Sequence, residues 1–162
     1  MNAGYRPRAS GFSLIELLVA ATIIGVLATV AVPVVETTQR RAKEKELRTA
    51  LRDIRNAIDA YKAAADGGRV AKAKDDTGYP PTLADLASGV PDLKSEGGAM
   101  IYFLRRIPRD PFNSDRSIPA ANTWGLRSFS SPAERPKAGK DVFDVYSGSE
   151  KEGLNGVPYS EW

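Results

Sequence analysis

The chain has neither cysteine nor histidine among its 162 residues. Without cysteine there is no disulfide and no thiolate metal site, and nothing marks a redox compartment. Without histidine the commonest general base and the commonest transition-metal ligand are both missing. The sequence also lacks a Gly-x-Ser-x-Gly elbow, a phosphate-cradling glycine loop and a cluster of metal ligands, so the usual catalytic constellations have no starting point. Scattered Asp and Glu residues could pair as an acid and a base only if folding gathered them. The expectation is therefore a protein that is not an enzyme. Nor is there a surplus of one charge: 23 Lys and Arg stand against 20 Asp and Glu, a net +3 that becomes +1 without Arg6 and Arg8. A nucleic-acid binder needs a concentrated basic footprint, so no nucleic-acid partner is expected.

What the chain does have is one long apolar run. From Phe12 to Val35 the only formal charge is Glu16, and at about 1.5 Å per helical residue this stretch can cross a hydrocarbon core of roughly 30 Å. Residues 1–11 hold Arg6, Pro7 and Arg8 without apolar periodicity, which reads as a cationic leader that is cut away. An ordinary secretory signal fits less well, because the run exceeds the usual apolar region of about 7 to 15 residues. Pro33 also crowds the cleavage site such a signal would offer after Ala31.

Glu16 is the residue a simple anchor would not carry. An ionised group in the middle of an apolar span costs about 2.5 to 3.5 kcal/mol on insertion scales, so an intramembrane acid needs a partner. Cleavage between Gly11 and Phe12 would place a new amino group four residues before Glu16. The two could neutralise one another within one helix or between neighbouring subunits. The alternative is an acid at the membrane rim, snorkelling to the headgroups.

From Glu36 the period turns helical. Leu47, Leu51, Ile54, Ile58 and Tyr61 recur at steps of four and three and share one face. No Gly or Pro interrupts Val34 to Ala65, so the apolar span at 12–35 and the amphipathic stem at 36–66 are expected to form one helix of roughly 54 residues. Gly67-Gly68 should stop it. The basic cluster from Arg40 to Arg48, interleaved with Glu44 and Glu46, reads as a solvated, salt-bridged face near headgroups.

Residues 67–162 then form a small head. Thr82 to Leu86 predicts a short helix capped by Thr82, with Asp85 at its third position. Met100 to Leu104 is strand or helix. Asn122–Phe129 and Asp141–Tyr146 predict two strands, one face of which packs on the helix stripe. The fold class is α+β: a long N-terminal helix on a small antiparallel sheet domain.

The stretch Gly11-Phe12-Ser13-Leu14-Ile15-Glu16, behind a basic leader and ahead of an apolar helix, resembles the processing site of type IV pilins and of the pseudopilins of type II secretion systems. Tyr79-Pro80 with the Leu-rich turn behind it, and Pro108, Asp110, Pro111 and Phe112 in an Ile-Pro-x-Asp-Pro-aromatic segment, are most similar to the major pseudopilin. This resemblance implies cleavage after Gly11 by a prepilin peptidase and N-methylation of Phe12. It also implies assembly with copies of itself and with minor pseudopilins, on an inner-membrane platform. Gly25 and Pro33 stand where the family has helix-loosening residues; physically, Pro33 forfeits a backbone hydrogen bond and Gly25 weakens the helix. The implied place is the inner membrane, single-pass, with the head in the periplasm. Counted alone, the five basic residues that follow the span, against two before it, would favour the opposite orientation. A type IV pilin of an extracellular pilus is the alternative within this architecture. A monomeric membrane-tethered binding protein or enzyme is the alternative outside it.

No cofactor is required. The resemblance does imply a calcium ion in the loop before the closing Trp, where this chain offers Ser147, Ser149, Glu150, Glu152 and Asn155. The paired Asp residues of the family are replaced here by Val157-Pro158-Tyr159. Two readings stay open: calcium held by those oxygens, or a loop closed by an Asn155-Gly156 turn and the packing of Trp162.

Overall fold

The computed structural model describes residues 11–162, apart from the side chains of 29–34; the first ten residues of the leader, with Arg6 and Arg8, lie outside the described residues. One helix, α1, runs from Leu14 to Asp66 over 53 residues, close to the length expected. The chain divides into two compact units, one ending at Arg40 and the other running from Arg41 to Trp162.

In the first unit α1 carries apolar residues on every side, and they are exposed: Leu14 at 77%, Ile24 at 66% and Leu27 at 64%. A helix that is apolar all round has no solvated face to offer water, so other molecules must cover it. Among the described residues, no helix is long and apolar enough to cross a membrane. The described side chains of the apolar run, those of 12–28 and Val35, include the charged Glu16.

In the second unit the helix is amphipathic and its stripe is the core. Leu47, Leu51, Ile54, Ile58 and Tyr61 are all buried, joined by Ala50, Ala57 and Ala64. The small alanines let the head close on the helix. At the C-terminus Gly68 adopts φ +67°, and the amides of Gly67 and Arg69 donate to the carbonyls of Ala63 and Ala64 at 2.9 and 2.8 Å. The last turn is thereby satisfied, and glycine supplies the left-handed residue it requires.

The head contains little regular structure. A second helix, α2, covers only Asp85–Ser88. It begins later than expected and Thr82 does not cap it: the Asp85 carboxylate turns back to accept from the Thr82 amide at 2.9 Å and from its hydroxyl at 2.8 Å. Strands β1 (Val90–Pro91) and β2 (Met100–Ile101) pair antiparallel, so the ambiguous apolar segment is strand at its first two residues, while 102–104 are irregular. Strands β3 (Trp124–Arg127) and β4 (Asp144–Ser147) form a second antiparallel pair with Trp124 opposite Ser147 and Arg127 opposite Asp144. Both are shorter than the sequence pattern implies. Ala120–Thr123 forms a 3-10 turn before β3, and the Ser128 amide leaves the ladder for the Lys137 carbonyl. Val142 also falls outside β4, bonding to the Pro80 carbonyl, so Val142 and Val145 are both buried and strict alternation fails there.

With so few ladder bonds, buried carboxylates tie the loops together. Asp141 accepts from the hydroxyls of Thr77 and Ser128, each at 2.6 Å, and from the Phe129 amide at 2.9 Å. Burial pushes its carboxyl up. The hydrogen bonds from Ser128, Thr77 and Phe129 and the charge of Lys140 outweigh that and hold it below the ordinary carboxylate range. A carboxyl lowered in the folded state stabilises the fold above its ordinary pKa of about 4, and that contribution is lost as pH falls through the folded value. Asp141→Asn should therefore melt below the wild type near neutral pH, with the gap closing on acidification below about pH 4. Parallel thermal melts of the two proteins across that range check this.

Candidate functional site

Gly11, Phe12 and Ser13 precede α1, and the helix opens with the Leu17 amide donating to the Ser13 carbonyl at 3.1 Å. Phe12 is 76% exposed. The Gly11–Phe12 peptide therefore lies in non-helical, open backbone, the form a protease needs. Glu16 falls in the first turn, where its carboxylate faces the positive end of the helix dipole, a stabilising position worth about 0.3 to 1 kcal/mol. Among the described residues no side chain pairs with it. Gly25 sits inside α1 with nothing within 4 Å of where a Cβ would lie, so packing within the chain does not require glycine there. The helix also continues through Pro33. Every processing and assembly residue of the motif thus lies in the first unit, exposed where its side chain is described.

The proline corner behaves as a brace. Asp110 is 2% exposed; it accepts from the Phe112 amide at 2.8 Å and from the Ser147 hydroxyl at 2.6 Å. The Trp124 indole donates to the Pro108 carbonyl at 2.9 Å. Phe112 stacks on Tyr159 with ring centroids 4.0 Å apart. One short segment thereby ties β3, β4 and the C-terminal turn.

The C-terminal loop does not assemble a calcium cage. The Ser147 hydroxyl is buried and donates to Asp110 while accepting from the Ser149 amide at 3.2 Å. The Ser149 hydroxyl accepts from the Lys151 amide at 3.4 Å, and Asn155 Oδ1 from the Val157 amide at 3.2 Å. Glu152 pairs by backbone with Pro158, and Glu150 is exposed. Calcium needs six to eight converging oxygens, usually including several carboxylates. Among the described residues no three or more Asp, Glu, His or Cys side chains gather to hold a metal. The five residues do not fit the ion. The second reading fits: Gly156 turns at φ +75°, and a Cβ on Gly153 would come within 2.4 Å of the Trp162 ring.

Residues 6–32 match the prokaryotic N-terminal methylation motif. Over 115 residues the sequence is 30% identical to type II secretion system core protein G of Klebsiella pneumoniae, covering 68% of this chain and 74% of the relative. The chain belongs to the type II secretion system core protein G family. Within that family it is 29% identical over 145 residues to the Pseudomonas aeruginosa protein, covering 84% and 92% of the two chains. It is 26% identical over 157 residues to the Dickeya chrysanthemi protein, covering 92% and 95%. No solved structure matches. The family is that of the major pseudopilins, so the methylation motif and the head belong to one filament-type subunit.

Residues outside the motifs also matter in this core protein G relative. Glu44 departs from the solvated face that its charged neighbours imply: it is 6% exposed and bonded to the C-terminal loop. Its signal was positional: stepping back three residues from Leu47 along the stripe lands on it. Arg55, which donates to Asp144 at 2.8 Å and to the Val145 and Trp162 carbonyls at 3.1 and 2.8 Å, had no local signal because its partners lie about ninety residues or more away.

Proposed function

We propose that this chain is cleaved after Gly11, N-methylated at Phe12 and polymerised into a periplasmic pseudopilus that drives folded proteins across the outer membrane. The observation that carries this reading is the first unit: a helix apolar on all sides, with Glu16 in its first turn, behind the non-helical Gly11–Phe12 bond. The bilayer stores that surface before assembly, and neighbouring helices cover it afterwards. Cleavage creates the Phe12 amine, and the Glu16 carboxylate receives its charge, within a subunit or across two. Gly25 and Pro33 let the helix stretch as it packs. The head stays on the periplasmic side. Partners are other copies of the chain, minor pseudopilins, the prepilin peptidase and the inner-membrane assembly platform. The role is structural, not enzymatic.

The processing step is tested by mass. When the chain is expressed with a prepilin peptidase, intact-mass measurement should find a mature species beginning at Phe12 and carrying one methyl group. Without the peptidase, a membrane-bound precursor retaining Arg6 and Arg8 should accumulate. A mature chain starting anywhere else overturns the assignment of Gly11 and Phe12.

A further inference from the structure

The C-terminal loop, unfit for calcium, is held by the helix beneath it. Glu44 Oε1 accepts from the Leu154 amide at 2.7 Å and from the Tyr159 hydroxyl at 2.9 Å. Tyr159 is fully buried, stacked on Phe112 and edge-on to Trp162 at 5.0 Å between centroids. Further along the same helix, the Arg48 guanidinium lies 4.3 Å from the centre of the Trp162 ring, and Arg55 donates to the Trp162 carbonyl at 2.8 Å. The Trp162 indole closes the loop on itself by donating to the Val157 carbonyl at 3.2 Å.

The polarity of this arrangement is the reverse of a metal site. A calcium loop turns carbonyl and carboxylate oxygens inward on a cation. Here the loop turns an N–H and an O–H on one carboxylate oxygen supplied from the helix, so donors of the loop itself occupy that oxygen in place of a cation. We propose that Glu44 is the positioning residue that closes this loop in place of a bound cation, and that the head is ordered without calcium. The departure at Val157-Pro158-Tyr159 is then an exchange, in which Tyr159 brings the hydroxyl that Glu44 receives.

The test uses the full mature chain in detergent, whether or not it forms filaments, and a lysine-specific endopeptidase that needs no calcium. Lys151, exposed within the loop, reports local opening; Lys94, exposed in the β1–β2 hairpin, serves as the reference. Glu44→Ala should speed cleavage at Lys151 by about tenfold or more relative to Lys94, as expected when two hydrogen bonds to one buried carboxylate are lost. Glu44→Gln, which keeps an acceptor oxygen, should fall between. Tyr159→Phe, which deletes one donor and keeps the ring, should give a few-fold increase and carries the test if Glu44→Ala does not fold. No rate should differ between millimolar calcium and a chelator. Protection of wild-type Lys151 by calcium, or unchanged cleavage in Tyr159→Phe and Glu44→Gln, overturns the proposal.

Discussion

Cells producing Glu16→Ala are expected to hold normal amounts of processed, membrane-inserted chain and almost no filaments. Removing the acid makes insertion easier, since an ionised residue in an apolar span costs about 2.5 to 3.5 kcal/mol at its centre. Assembly then loses the one charge of the apolar run that can meet the Phe12 amine. An amine and a carboxylate about 4 Å apart attract by roughly 4 kcal/mol at an effective dielectric near 20, so incorporation should fall on the order of a hundredfold or more. Co-expression with wild-type subunits and quantification of both in sheared filaments measures this. Equal incorporation would show that Glu16 is a tolerated acid at the membrane rim.

The second large effect lies in the head. Asp110→Ala should destabilise it by about 3 to 5 kcal/mol, because the Ser147 hydroxyl and the Phe112 amide both lose their acceptor in a buried site. For a domain of this size that is a fall of roughly 10 °C or more in the melting temperature. Asp110→Asn keeps one acceptor and should lose about half as much. Glu150→Ala, at an exposed position, should stay within about 0.5 kcal/mol of wild type. Thermal melts of the three variants decide between a brace and a decorative corner, and an Asp110→Ala melt close to wild type would refute the brace.

The features legible in the sequence are those written locally. The motif at 11–16 needs a glycine, an aromatic residue and an acid at set spacing before an apolar run. The stem stripe follows from helical periodicity, and Gly67-Gly68 from the left-handed residue a helix end requires. The proline corner is legible because two prolines limit the backbone and Asp110 has an amide two residues away to bond. Features set by distant partners were not legible. Glu44 among Lys43, Lys45 and Glu46 looks like any solvated acid, and only the folded chain brings Leu154 and Tyr159 to it. Asp141 collects its donors from Thr77 and from Ser128 and Phe129, more than ten residues away in sequence. The strands came out short for a related reason: Ser128 and Val142, placed in strands by their pattern, spend their amides on Lys137 and Pro80 instead. In a head with two small sheets, side-chain carboxylates do work that ladders do elsewhere, and side-chain partners carry no period.

The central claim is that the exposed apolar helix of the first unit is a polymerisation surface. Electron microscopy of material sheared from cells overproducing the chain with its prepilin peptidase tests it most directly. The account predicts filaments whose subunits begin at Phe12, and none from cells carrying Glu16→Ala. Correctly processed chain present only as membrane-bound monomers would contradict it.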